Sequence, residues 1–166
     1  MALAIKDLGP CQVLWNTTNL GATLGGVTFK EDSKTVDIKE DGHGESPVDA
    51  VFMGKTVSIE CKFTRSTLAQ LEKMIEASSA GAAHLHARNS VGNAMYSRAQ
   101  ELILKPLVDN VASSTAAEWL HVHKTFPVAA VNFGYDASNQ RIVNVTFKAF
   151  PRQDSPIGEI WRIGAA

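Results

Sequence analysis

The chain has 166 residues, 45% hydrophobic and 20% charged, with a formal net charge of −1. That size and balance fit one domain with its own core. The lack of a basic excess argues against a protein whose main task is gripping nucleic acid.

In chain order, Met1 to Leu8 has too short an apolar run and meets Lys6 and Asp7 early, so no secretion signal is expected. No stretch approaches the ~20 apolar residues that span a bilayer, so no membrane anchor is expected either. Without a signal, Asn16-Thr17-Thr18 and Asn144-Val145-Thr146 read as chance matches to the glycosylation pattern. Cys11, Val13 and Trp15 alternate as one face of a strand, and Asn16 to Gly21 is rich in turn formers. Gly25-Gly26 marks a bulge or tight bend, followed by alternating Val27 with Phe29 and Val36 with Ile38. Lys39 to Asp49 is polar, acidic and Gly/Pro-bearing, with Val48 its one apolar residue. It is expected as a loop of about ten residues, a length that in a compact domain usually has a task.

Thr56 to Phe63 is the clearest strand. Val57, Ile59, Cys61 and Phe63 fall on one face, and Thr56, Ser58, Glu60 and Lys62 on the other. Thr67 to Ser78 reads as a helix. Thr67-Leu68-Ala69-Gln70 fits a capping box, Leu68, Leu71, Met74 and Ile75 share one side, and Gly81 is a plausible stop. Ala77 to Gly92 is rich in small residues and expected to be exposed. Asn93 to Glu101 or Ser113 to Leu120 is a second helix or irregular segment. Leu102 to Leu104 is a weaker strand, limited by Pro106 to an edge or a strand end. Val131, Phe133 and Tyr135 alternate, Asp136 to Gln140 is a turn, and Val143 to Phe150 alternates again, with Asn144, Thr146, Lys148 and Phe150 on the polar side. The expected fold is mainly β: a single antiparallel sandwich or barrel with one packed helix and one long projecting loop. Such a fold has edge strands, and open edges invite pairing with other chains.

Chemistry-bearing patterns are sparse. His84 with His86 and His121 with His123 are His-x-His pairs, but no cysteine or carboxylate cluster stands at ligand spacing beside them. Cys11 and Cys61 fall on apolar faces and read as inert core thiols. No Gly-x-Ser-x-Gly elbow occurs, and Gly21 to Gly26 lacks the Gly-Lys-Ser/Thr ending of a phosphate cradle. The acids of Glu31 to Asp49 lack the spacing of a calcium loop. No catalytic residue, metal or cofactor is therefore expected. The informative features are architectural.

The segments Leu8 to Asn16, Leu20-Gly21 and Gly25 to Phe29, then Thr35 to Asp49, Lys55 to Phe63, Ser66-Thr67-Leu68 and Arg141 to Pro151 together resemble bacteriophage major tail tube proteins, related to tailocin and type VI secretion tube proteins. The resemblance covers roughly residues 8 to 78 and 128 to 151 and leaves 80–127 as a candidate insertion on the outer face. It implies a structural virion protein that forms hexameric rings stacked head-to-tail into a hollow tube, through which genomic DNA passes without specific binding. It also implies tail partners such as sheath, baseplate hub, tape measure or terminator, and a location in the virion tail after assembly in the host cytoplasm.

On that resemblance the projecting loop, with Lys39, Glu40, Asp41, His43, Glu45 and Asp49, reaches a neighbouring subunit. A conduit wall should be polar and net acidic, so that phosphate is repelled. Its candidate lumen-facing residues are Thr56, Ser58, Glu60 and Lys62 with Asn144, Thr146 and Lys148. The competing assignment is the solvent face of a monomeric sandwich, since a one-residue register slip flips every side chain. Three other functions compete: another tail, baseplate or terminator component; a monomeric ligand-binding module using Trp15, Trp119 and Trp161; and a metalloenzyme built on the histidine pairs.

Overall fold

The computed structural model describes residues 10–64, 66–76, 78–81, 83–89, 91–132 and 142–164. The strands are β1 (Cys11–Trp15), β2 (Thr18–Asn19), β3 (Ala22–Lys39), β4 (Pro47–Thr64), β5 (Ser78–Ala80), β6 (Leu85–Ala87), β7 (Gln100–Val108), β8 (Val111–Ala112), β9 (Leu120–Asn132), β10 (Ile142–Phe150) and β11 (Trp161–Ile163). The α-helices are α1 (Leu68–Met74) and α2 (Met95–Arg98). Seven strands run in the order β2-β1-β7-β9-β10-β4-β3, with β11 added along β9 and β8 along β7; β5 and β6 form a separate hairpin.

The main sheet is antiparallel and curls on itself. β1 and β3 lie toward its opposite edges, yet only residues 16–21 join them, a span of at most ~20 Å. The Leu20 N–H donates to the Val13 carbonyl across that link at 3.0 Å. The result is an open barrel made from one sheet, not a sandwich of two. Its concave face holds the core. Phe63, Cys61 and Ile59 of β4 stand opposite Val143, Val145 and Phe147 of β10, all buried. The expected alternation of both strands is thus present, side by side.

α1 closes one mouth of this core with Leu71 and Met74. The Thr67 side chain accepts from the Gln70 N–H at 3.3 Å, and Gln70 Oε1 accepts from the Thr67 N–H at 2.8 Å, completing the expected capping box. Gln70 Nε2 also donates to the Asn19 carbonyl, tying the helix to the turn between β1 and β3. The helix ends at Met74, short of the expected Ser78. The Ser78 hydroxyl sits 2.8 Å from the Ile75 carbonyl and 3.0 Å from that of Glu72, so it satisfies terminal acceptors as the chain turns into β5. Gly81 belongs to the β5–β6 turn and does not stop the helix.

Residues 80–127 are not an appended insertion. They supply β7 and most of β9, which are interior strands, while the stretch before β7 and the 113–119 connection, with a 3₁₀ turn at Ala116–Glu118, lie outside the main sheet. Pro106 is tolerated in an interior strand because β9 pairs with β7 only over Gln100 to Leu104, leaving Pro106 beyond that ladder. β9 carries an irregularity where Gln100 faces Thr125 while Leu102 faces Val122. The extra residue brings both Val122 and Thr125 to the core, and buried Thr125 accepts from the Trp15 indole N–H. Phe133, Tyr135 and the turn Asp136 to Gln140 lie outside the described residues.

Candidate functional site

The expected loop is the tip of something larger. β3 and β4 are 18 residues each, but β10 pairs only with Ser58 to Thr64 of β4. Among the described residues the two strands pair only with each other from Glu31 and Val57 outward, forming a ribbon about 30 Å long. Its tip turns through a 3₁₀ turn at Asp41–His43. Glu40, Asp41, His43 and Glu45 occupy this tip. Lys39 and Asp49, expected in the loop, are strand residues of β3 and β4. The loop proper is shorter because pairing continues to Lys39 and Pro47.

The ribbon is apolar where no other described element packs on it. Val36 faces Val51 on one side, and Phe52 lies on the other, opposite Thr35. Val36 is 54% exposed, Phe52 57% and Met53 61%, and Ile38, Val48 and Val51 are exposed too. Its root is fixed. Lys55 Nζ donates to Glu31 Oε1 at 2.6 Å, the Trp161 indole N–H donates to Glu31 Oε2, and the Trp161 ring meets Phe29 edge-on at 5.4 Å. The Lys55 hydrogen bond, then that of Trp161, holds the Glu31 carboxyl below its ordinary value. Sequence reasoning found the tip and missed the apolar shaft. The available signal was Ala50-Val51-Phe52-Met53, an apolar run without alternation beside an acidic turn.

The seven candidate lumen residues share one face. Asn144 pairs with Lys62, Thr146 with Glu60 and Lys148 with Ser58, and Thr56 continues the row along β4. On β3, Thr28, Lys30 and Asp32 extend it, with Lys30 Nζ 3.5 Å from Asp32. Three residues of β3 step across where β4 uses one, between Thr23 opposite Phe63 and Val27 opposite Cys61. Gly25 and Gly26 permit this bulge with φ of 79° and 86°. Beneath them lies a shallow depression of about 400 Å³, lined by Thr28, Glu60, Lys62, Asn144 and Thr146. The face is polar but not acidic. Among the seven, Glu60 is opposed by Lys62 and Lys148, so the expected net acidic wall is corrected. The polar strip also ends at β9, where Val128 faces Thr146 and is 38% exposed.

The residues with chemical potential are dispersed or engaged. His121 Nδ1 lies 3.0 Å from Glu101 Oε1, and His123 Nε2 lies 3.3 Å from Glu159 Oε2. His84 and His86 are exposed, with their rings 4.5 Å apart. Among the described residues no three His, Cys, Asp or Glu side chains converge as a metal site would require. Cys11 and Cys61 are free thiols, and burial pushes them up to about 11 and about 12 respectively, far from the reactive thiolate range. The three indoles are spent internally: Trp15 on Thr125, Trp119 on the Ser113 carbonyl and Trp161 on Glu31.

No protein-family model matches the chain, and no curated protein matches it significantly in sequence. Among the described residues no helix is long and apolar enough to cross a membrane.

Proposed function

We propose that this chain is a self-assembling structural protein, the subunit of a phage-type tail tube built from hexameric rings stacked head-to-tail. The observation that carries this is the β3–β4 ribbon, with exposed apolar side chains on both faces and no strand along either of its edges among the described residues. A two-stranded ribbon alone is marginal in water, and apolar surface of this extent marks an interaction site. The open edge of β3 offers neighbours a way to continue the sheet from copy to copy, so that edges exposed in one subunit are satisfied in a ring. A head-to-tail contact does not close on itself, so rings extend into a filament.

In such a tube the β4–β10 polar face lines the lumen. Genomic DNA passes because the wall is hydrated and offers no apolar grip, not because it repels phosphate. The tube meets other tail proteins, among them sheath, baseplate hub, tape measure or terminator, and belongs to the virion tail after assembly in the host cytoplasm. Negative-stain electron microscopy of the purified protein tests this. Hollow rings or tubes are expected, and monodisperse particles at high concentration would contradict it. Deleting residues 41–46 should shorten or abolish the tubes; normal tubes from that variant would remove the tip from the contact.

A further inference from the structure

The two His-x-His pairs differ in what surrounds them. His121 and His123 are buried beside Glu101 and Glu159, whereas His84 and His86 are exposed on the β5–β6 hairpin. Strand alternation sorts that hairpin. Leu85 packs against the core, so His84 and His86 on either side of it share the outward face. The hairpin is anchored. The Ser78 hydroxyl bonds the Glu72 and Ile75 carbonyls of the α1 segment, and the Gly81 N–H donates to the His84 carbonyl at 2.8 Å, closing the turn.

The two rings are set close together. Their centres are 4.5 Å apart and their planes are tilted by 56°. A metal held at about 2.0–2.1 Å by one nitrogen of each ring, at an angle of about 90–110°, puts ring centres about 4.5–5.3 Å apart. Gly81 makes room for this arrangement. A Cβ there would stand 2.6 Å from His84 Nε2, although the backbone of Gly81 is not left-handed.

The chemistry around the pair selects the ion. Residues 77–100 contain no Asp or Glu, so the oxygen ligands that calcium and magnesium need are missing from this stretch. Imidazole nitrogen suits nickel, copper and zinc. A resident metal centre takes three or four protein ligands, so two give a weaker, exchangeable site.

We infer that His84 and His86 form a two-nitrogen surface chelate for a divalent transition ion of the nickel, copper and zinc class, preset by Gly81. Water fills the remaining positions. This site stands apart from the self-assembly reading, and neither depends on the other.

Calorimetric titration of the untagged chain with Ni²⁺ tests it. Binding of one ion per chain is expected, with Cu²⁺ tighter than Ni²⁺ and no heat from Mg²⁺. His84→Ala and His86→Ala should each weaken Ni²⁺ binding by about tenfold or more, and Gly81→Ala by about threefold or more with both ligands retained. Circular dichroism of the three variants should match wild type, because the substituted positions lie on the outer hairpin. Wild type that takes up no Ni²⁺, or a His84→Ala/His86→Ala double variant that binds as wild type does, would overturn the site. Undiminished binding by Gly81→Ala would overturn the preset geometry.

Discussion

The two halves of β4 obey different rules. From Val57 to Phe63 the strand alternates, and every apolar residue is buried against β10 and the rest of the core. From Val48 to Met53 the apolar residues come almost without interruption, and all are exposed. The same strand therefore holds one segment whose apolar surface is buried within the chain and one whose apolar surface the described residues leave exposed. Hydrophobic burial stabilises the first on folding, and the second can gain the same stabilisation only on association.

Substitutions in each half should separate these roles. Phe147→Ala removes the fully buried partner of Ile59 and should cost about 3–5 kcal/mol in denaturant unfolding. A cost under about 1 kcal/mol would mean the core does not rest on the β4–β10 pair. Thr67→Ala removes the helix cap and should cost about 1 kcal/mol, read the same way.

The root of the ribbon should respond to acid. Glu31 is held below its ordinary value, so its contribution is fully present above that value and is lost as the pH falls through the lowered one. Tryptophan fluorescence of the wild type should change in that acidic window, with Trp161 released from Glu31, and Glu31→Gln should not show that transition. The smallest effect on folding is expected in the outer half. Phe52→Ala should leave unfolding within about 0.5 kcal/mol of wild type, because 57% of Phe52 is already exposed.

The same contrast explains what the sequence made legible. Alternation reports that a strand has one apolar face, and Thr56 to Phe63 and Val143 to Phe150 were found because their covering partners lie within the chain. The capping box located α1 because Thr67 and Gln70 interact locally. Val36 and Ile38 alternate just as core residues do, yet both are exposed, since periodicity does not say what covers a face. Pro106 points to an edge or a strand end for Leu102 to Leu104, yet β7 is interior, because β9 leaves the ladder before Pro106, a fact that only the fold supplies. A depression that joins residues from the end of α1, the 92–95 segment and β9 is likewise a juxtaposition that exists only in the folded chain.

Self-assembly through the ribbon is tested most directly by sedimentation velocity of wild type beside Phe52→Asp at matched concentrations. Wild type should sediment as large, concentration-dependent assemblies, and the variant as a folded 17.9 kDa monomer with an unchanged unfolding midpoint. A wild type that sediments only as a monomer across the whole concentration range would contradict it.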